Sequence, residues 1–251
     1  MLDVAIAAAK AGTAVALSYY KKTPKVSFKP DNSPVTIADK TAELAIRAVI
    51  AREFPNHGIV GEEHPATNPD SAYQWYIDPI DGTKQFIRKI PVWGTFVGLM
   101  KNKVPMLGVI CFPCMDEIYS AEKGRGAFLN GKKVHVSKVD KLKNATMAHG
   151  TMKRFEKHQV LGGLLKLDHQ IYSEINLGPY TIGQLIQGHI DINVDGGGSV
   201  WDYVAPSIIV EEAGGKFSDF AGKKSFDSNC GVMTNGLLHR KVISILNGTR
   251  V

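Results

Sequence analysis

Apolar positions change their period twice along the chain. Over Leu2–Tyr20 they are dense and alanine-rich, interrupted by Asp3 and Lys10, which predicts an N-terminal helix. A second helix is marked more firmly. Thr36 stands as a cap, Asp39 follows three residues on as in a capping box, and Ile37, Leu44, Ala45, Ala48 and Val49 recur at helical spacing until Phe54-Pro55. Between the two, Pro24, Pro30 and Pro34 exclude a helix and predict extended or hairpin-like chain over residues 25–34. From about Gly58 short apolar runs bounded by Gly, Pro or Asn take over, at residues 59–60, 75–77, 95–100, 106–112, 118–121 and 127–129. Strands in succession without helices between them predict a largely antiparallel sheet packed on the opening helices. Beyond about Val136 the pattern alternates. It predicts a helix over 180–188, a strand over 190–194, a helix over 202–213 closed by Gly214-Gly215, and a last helix over His239–Leu246. The fold class is mixed α and β (α+β). Two lobes are expected, a strand-rich one over 1–135 and an α/β one over 136–251, forming one compact unit.

Composition narrows the class without deciding the function. A chain of 251 residues with 44% hydrophobic and 22% charged residues can bury a sizeable core and is not intrinsically disordered. Three cysteines cannot close a disulfide framework, which favours a reducing, cytoplasmic setting. The opening apolar run lacks a basic leading region and the sustained Leu/Ile/Val/Phe content of a membrane span, so neither a targeting segment nor a membrane partner is expected. Thirty basic against 24 acidic residues give a net charge of +6, a mild excess that would attract anionic substrates or simply aid solubility. The lysines are scattered in pairs, such as Lys132-Lys133 and Lys223-Lys224, which is the pattern of a solvated face and does not point to nucleic acid.

The chemistry concentrates in Trp75-Tyr-Ile-Asp78-Pro-Ile-Asp81-Gly-Thr83, where an apolar strand runs into two carboxylates with a proline between them. Carboxylates converging at a strand end repel unless a cation neutralises them, and an all-oxygen donor set calls for a hard ion, Mg²⁺ before Ca²⁺. An Asp-Gly turn with Asp78 as a helix cap accounts for the same string equally well. Gly61-Glu62-Glu63 follows a strand-like run, and Asp202 opens a helix where an acid favours the dipole. Cys111 and Cys114 have C-x-x-C spacing but lie on or beside a predicted strand, with no second pair for zinc, and carry neither a metal nor a redox assignment.

Taken together, Gly61-Glu62-Glu63, Asp78-Pro-Ile-Asp81-Gly-Thr83, Trp201-Asp202-Tyr203 and Glu212-Ala213-Gly214-Gly215 stand in the order and spacing of the inositol monophosphatase family, which the chain resembles from about Thr36 to Leu246. Val35-Thr-Ile-Ala-Asp39 and the stretch from Gly124 to Gly131 add to the likeness. The resemblance implies a layered α-β-α-β-α sandwich of the inositol monophosphatase and fructose-1,6-bisphosphatase type. It also implies a homodimer and Mg²⁺-dependent hydrolysis of small phosphate monoesters with two or three ions. Carried over by motif, Glu62, Asp78, Asp81 and Asp202 bind metal by their carboxylates and Ile80 by its carbonyl. Asp39 and Thr83 orient and help deprotonate the attacking water, with Glu62 also in the catalytic set and Glu63 steadying a metal-bound water. The amides of Gly82 and Thr83 hold phosphate oxygens.

Asp195 falls where the family places an acid that contacts substrate hydroxyls, followed by Gly196-Gly197-Gly198, a stretch open to close substrate approach or to a plain flexible loop. Residues 81–88 and Asp116-Glu-Ile-Tyr119 resemble the histidinol-phosphatase branch, whereas Asn176-Leu-Gly-Pro-Tyr180 departs from it. The expected substrate is a small phosphorylated metabolite of the inositol 1-phosphate or histidinol phosphate type. Fructose 1,6-bisphosphate, 3′-phosphoadenosine 5′-phosphate and a regulatory, RNA-associated role on the same fold stand as alternatives. Pro206 within the last-but-one predicted helix is a local oddity, since it removes a helical hydrogen bond.

Overall fold

The structure is a computed structural model that describes residues 1–22, 26–28 and 34–248. Helices α1 (Leu2–Tyr20) and α2 (Ile37–Glu53) lie side by side on one face of a seven-stranded sheet. That sheet runs β3 (Gly58–Gly61), β4 (Tyr73–Asp81), β5 (Gly94–Lys101), β6 (Val104–Phe112), β7 (Glu117–Glu122), β8 (Ala127–Leu129) and β9 (Lys132–Val134) in sequence order. Only β3 and β4 pair parallel; the remaining neighbours are antiparallel, as the succession of short apolar runs predicts. Strands β1 (Val26–Phe28) and β2 (Pro34–Thr36) pair antiparallel, which agrees with extended chain there, while residues 25 and 29–33 lie outside the described residues. A short helix α3 (Thr83–Ile87) follows β4.

The second half builds a five-stranded mixed sheet in the order β11 (Ser173–Glu174), β10 (Thr146–His149), β12 (Ile192–Asp195), β14 (Gly231–Thr234), β13 (Lys216–Ser218). Helices α6 (Thr181–Ile186) and α7 (Val200–Glu212) fill the space between the two sheets. The outer layer is made by α4 (Met152–Lys157), α5 (Leu161–Asp168) and α8 (His239–Leu246). The result is five layers, α-β-α-β-α. One apolar core joins the sheets, with Phe96, Ile110, Phe112 and Tyr119 from the first packed against Ile182, Tyr203, Ile208, Phe217 and Met233. By length and composition alone α1 is apolar enough to cross a bilayer. In the fold its alanine face, Ala5, Ala8, Ala9 and Ala16, is buried.

The helix expected over 180–188 proves shorter, because Gly178–Tyr180 forms a 3₁₀ turn before α6. The strand expected over 190–194 starts later, at Ile192, because Asp191 turns its carboxylate back to accept from the Thr146 N–H at 2.7 Å. Helix α7 begins at Val200, two residues before the expected start, since Ser199 is the cap and Asp202 the acid of the first turn. Pro206 lies buried in its interior, so the Asp202 carbonyl lacks the partner that residue 206 would otherwise supply. Strands β5 and β6 present Gly98 opposite Gly108, and a Cβ added at either would come within 2.9 Å of the Ala205 backbone. That paired gap lets α7 settle directly on the sheet.

Candidate active site

Residues three apart on a regular strand point to opposite faces. Asp78 and Asp81 escape this because the β4–β5 pairing slips between them: Asp78 faces Phe96 and Asp81 faces Gly94. Pro79, which has no N–H to donate, lies in the irregularity, and its carbonyl accepts from buried Thr95 Oγ1 at 2.8 Å. The Asp78 carboxylate also accepts the Ile80 N–H at 2.9 Å. Both acids thereby face one cavity. Gly82 follows at φ +90°, a backbone region that disfavours any side chain, and a Cβ there would meet Pro179 at 2.9 Å.

The third acid arrives on α7. The Ser199 N–H donates to Asp202 Oδ2 at 2.6 Å in a capping box, and ligand oxygens of Asp78, Asp81 and Asp202 lie within 4.8 Å of one another. Burial pushes the carboxyls of Asp78 and Asp81 well above the usual carboxylate range, and their acidic neighbours push them further. Asp202 is raised to about 7, again first by burial, with Glu62 adding and the Ser199 N–H opposing. An all-oxygen donor set whose acids resist ionising together fits a hard divalent cation, which would neutralise them as a group. The cluster can therefore hold a metal ion.

Asp39 approaches from α2. Its Oδ2 accepts from the Thr36 N–H at 2.8 Å and from Thr36 Oγ1 at 2.6 Å, completing the capping box that the sequence predicts. Its Oδ1 faces Thr83 Oγ1 at 3.4 Å, and the same hydroxyl lies 3.2 Å from the Ile80 carbonyl. Burial, only partly offset by the Thr36 hydrogen bonds, raises Asp39 to about 6.

Glu62, Asp78, Asp81, Gly82, Asp195 and Asp202 all line a cavity of about 460 Å³. Asp39, Ile80 and Thr83 are not among its lining residues; Thr83 Oγ1 ties Asp39 to the Ile80 carbonyl behind Asp81 and Gly82. Four residues went unread in the sequence. Glu43, fully buried on α2, accepts the Glu63 N–H at 2.7 Å and Arg47 Nε at 2.7 Å, while Arg47 Nη2 holds the His64 carbonyl at 3.1 Å. A Cβ on Gly61 would come within 2.1 Å of the Glu43 carboxylate, so this clamp fixes the loop that carries Glu62. Arg154 and His149 line the far side of the cavity, paired to Asp195 at 3.3 Å and to Glu174 at 3.1 Å. The Glu43–Arg47 pair had a sequence signal in its i, i+4 spacing, but that is also the spacing of an ordinary surface pair.

The glycines at 196–198 receive side chains of the protein itself. A Cβ on Gly197 would overlap Arg154 Nε at 2.3 Å, and one on Gly198 would overlap Tyr203 at 2.5 Å. Cys111 lies buried on β6 and Cys114 just beyond it; both are free, and burial pushes both thiols up, Cys111 to about 11, so neither offers a thiolate.

The sequence profile described as the inositol monophosphatase family matches residues 1–248. A histidinol-phosphatase of Mycobacterium tuberculosis is 34% identical over 229 residues, covering 89% of this chain and 88% of the relative. A protein of Aquifex aeolicus named fructose-1,6-bisphosphatase/inositol-1-monophosphatase is 32% identical over 225 residues, covering 86% and 84%. Among solved structures, the extragenic suppressor protein suhB of Bartonella henselae superposes with a TM-score of 0.90 at 28% identity, covering 97% of each chain. Fold, site and relatives together define a phosphoric monoester hydrolase. Within that class, the chain belongs to the inositol monophosphatase family.

Proposed function

We propose that the protein is a Mg²⁺-dependent phosphatase acting on a small phosphate monoester of the inositol 1-phosphate or histidinol phosphate type. The observation that carries this reading is the convergence of Asp78, Asp81 and Asp202 within 4.8 Å in a cavity large enough for such a substrate. Their carboxylates, with Glu62 and the Ile80 carbonyl, would hold Mg²⁺, which supplies charge neutralisation at the entering and leaving oxygens. Thr83 and Asp39 manage the proton. As water attacks phosphorus, Thr83 Oγ1 accepts the water proton and passes its own to Asp39 Oδ1. Asp39 suits the task because its other oxygen is occupied by Thr36 and because its pKa of about 6 is close to working pH. The amides of Gly82 and Thr83 hold phosphate oxygens, and Asp195 meets the leaving group. The segments 1–135 and 136–251 act as one catalytic unit, since the three clustered acids come from both.

The test is phosphate release from inositol 1-phosphate, histidinol phosphate, fructose 1,6-bisphosphate and 3′-phosphoadenosine 5′-phosphate, with and without Mg²⁺, by wild type and Asp81→Asn. Magnesium-dependent release that drops at least about 100-fold in the variant supports the reading. No release from any of the four by folded wild type overturns it.

A further inference from the structure

We propose that Arg154, laid flat on Gly197 and paired to Asp195, reads the leaving group and selects a neutral or anionic polyol over a cationic amino alcohol. This rests on the phosphatase reading above and narrows its substrate class.

Arg154 belongs to the cavity wall by construction. Its Cδ and Nε would each lie 2.3 Å from a Cβ on Gly197, so the guanidinium occupies the space a side chain would need there. Asp195 is held in the same way, its Oδ1 lying 2.4 Å from where a Cβ on Gly150 would be. Two backbone segments have thus given up side chains to seat one ion pair. Among the described residues, Asp195 Oδ1 at 3.3 Å is the one hydrogen-bond partner of the guanidinium, whose side chain remains 46% exposed and lines the cavity. Its other N–H groups are available to a ligand.

The charge balance favours one ligand class. Outside the acids that cluster at the centre, the charged side chains lining the cavity are Lys84, Arg154 and Asp195, while His149 is tied to Glu174. Two cations stand against one anion that is already paired. A hydroxyl can accept from Arg154 while donating to Asp195, so adjacent hydroxyls match the pair as it stands. An ammonium only donates. It can donate to Asp195 but offers nothing for the Arg154 N–H groups to donate to, and it enters a wall whose two cations, Arg154 and Lys84, are of like charge.

The experiment is titration calorimetry of the full chain with inositol 1-phosphate and with histidinol phosphate, Ca²⁺ replacing Mg²⁺ to hold back turnover. Wild type, Arg154→Ala and Gly197→Ala are compared, with circular dichroism to confirm that each is folded. Gly197→Ala keeps the charge and only dislodges it, because the overlapping atoms belong to a flexible side chain. We expect wild type to bind inositol 1-phosphate at least about tenfold more tightly than histidinol phosphate, and both variants to shrink that ratio several-fold. Equal or tighter binding of histidinol phosphate by wild type, or an equal loss for both ligands in the variants, overturns the proposal. Magnesium-dependent hydrolysis of p-nitrophenyl phosphate by wild type tests the phosphatase reading separately. Its absence sinks that reading while the binding ratio still decides this one.

Discussion

Asp39 and Asp202 occupy the same place in two helices. Each is the third residue after the cap, and each gives one oxygen to a cap N–H, Thr36 at 2.8 Å and Ser199 at 2.6 Å. For Asp39 the sign of the pH effect follows from its pKa, which rises from 3.8 to about 6 on burial. The folded state holds this proton more tightly than the unfolded chain, so the stabilisation is complete below the unfolded value and is lost as pH rises through about 6. Asp39→Asn keeps an acceptor for Thr36 and sheds the buried charge. At pH 8 without metal it should melt higher than wild type, by on the order of 1 kcal/mol, and the gain should vanish near pH 4. Its kcat should fall by roughly 10²–10⁴. Thermal melts at the two pH values and steady-state rates check both. The clustered acids obey the same sign. With Asp202 raised to about 7 and burial pushing Asp78 and Asp81 well above the usual carboxylate range, a divalent cation must displace protons. Mg²⁺ affinity should climb from pH 6 to pH 8, and calorimetry in buffers of different ionisation enthalpy should register proton release.

Helices and strands place these residues through close backbone approach. Gly108 lies where a Cβ would come within 2.6 Å of the Ala205 carbonyl, which cannot give way as a side-chain tip can. Gly108→Ala should cost roughly 1–3 kcal/mol and lift α7, with Asp202, away from Asp78 and Asp81. A denaturant melt and a Mg²⁺ titration should both worsen. Glu43 does for β3 what the glycines do for α7. Glu43→Gln leaves Arg47 without its charge partner and loosens the Gly61–His64 turn, so Mg²⁺ affinity should drop about tenfold. A matching loss in kcat at saturating Mg²⁺ would instead place the effect on the chemical step. This scale also marks how far the sequence could be read. The Thr36–Asp39 box and the acids at the end of β4 were legible because their signals lie within a few residues. The clamp at Glu43, the paired gap at Gly98 and Gly108, and the seat for Arg154 were not, since each depends on chain that is remote in sequence. Strands β10, β11, β13 and β14 were missed because two to four residues carry no usable period.

Across the whole molecule, the apolar layer between the two sheets is shared. Phe96, Phe112 and Tyr119 face Ile182, Tyr203 and Phe217, so neither half can bury its inner face alone. Residues 1–135 expressed by themselves should fail to give a cooperative melt, whereas the full chain should unfold in one transition; calorimetry of both decides it. The doubled use of Asp39 and Asp202 has a consequence for how the protein can be observed. Two backbone hydrogens, on Thr36 and Ser199, are bonded to the carboxylates of acids that the proposed mechanism places at the centre. Whatever draws on those acids must alter the strength of these two bonds. The chain therefore carries built-in reporters of its own active site, and their exchange rates with solvent deuterium would follow occupancy of the centre without a label or a chromogenic substrate.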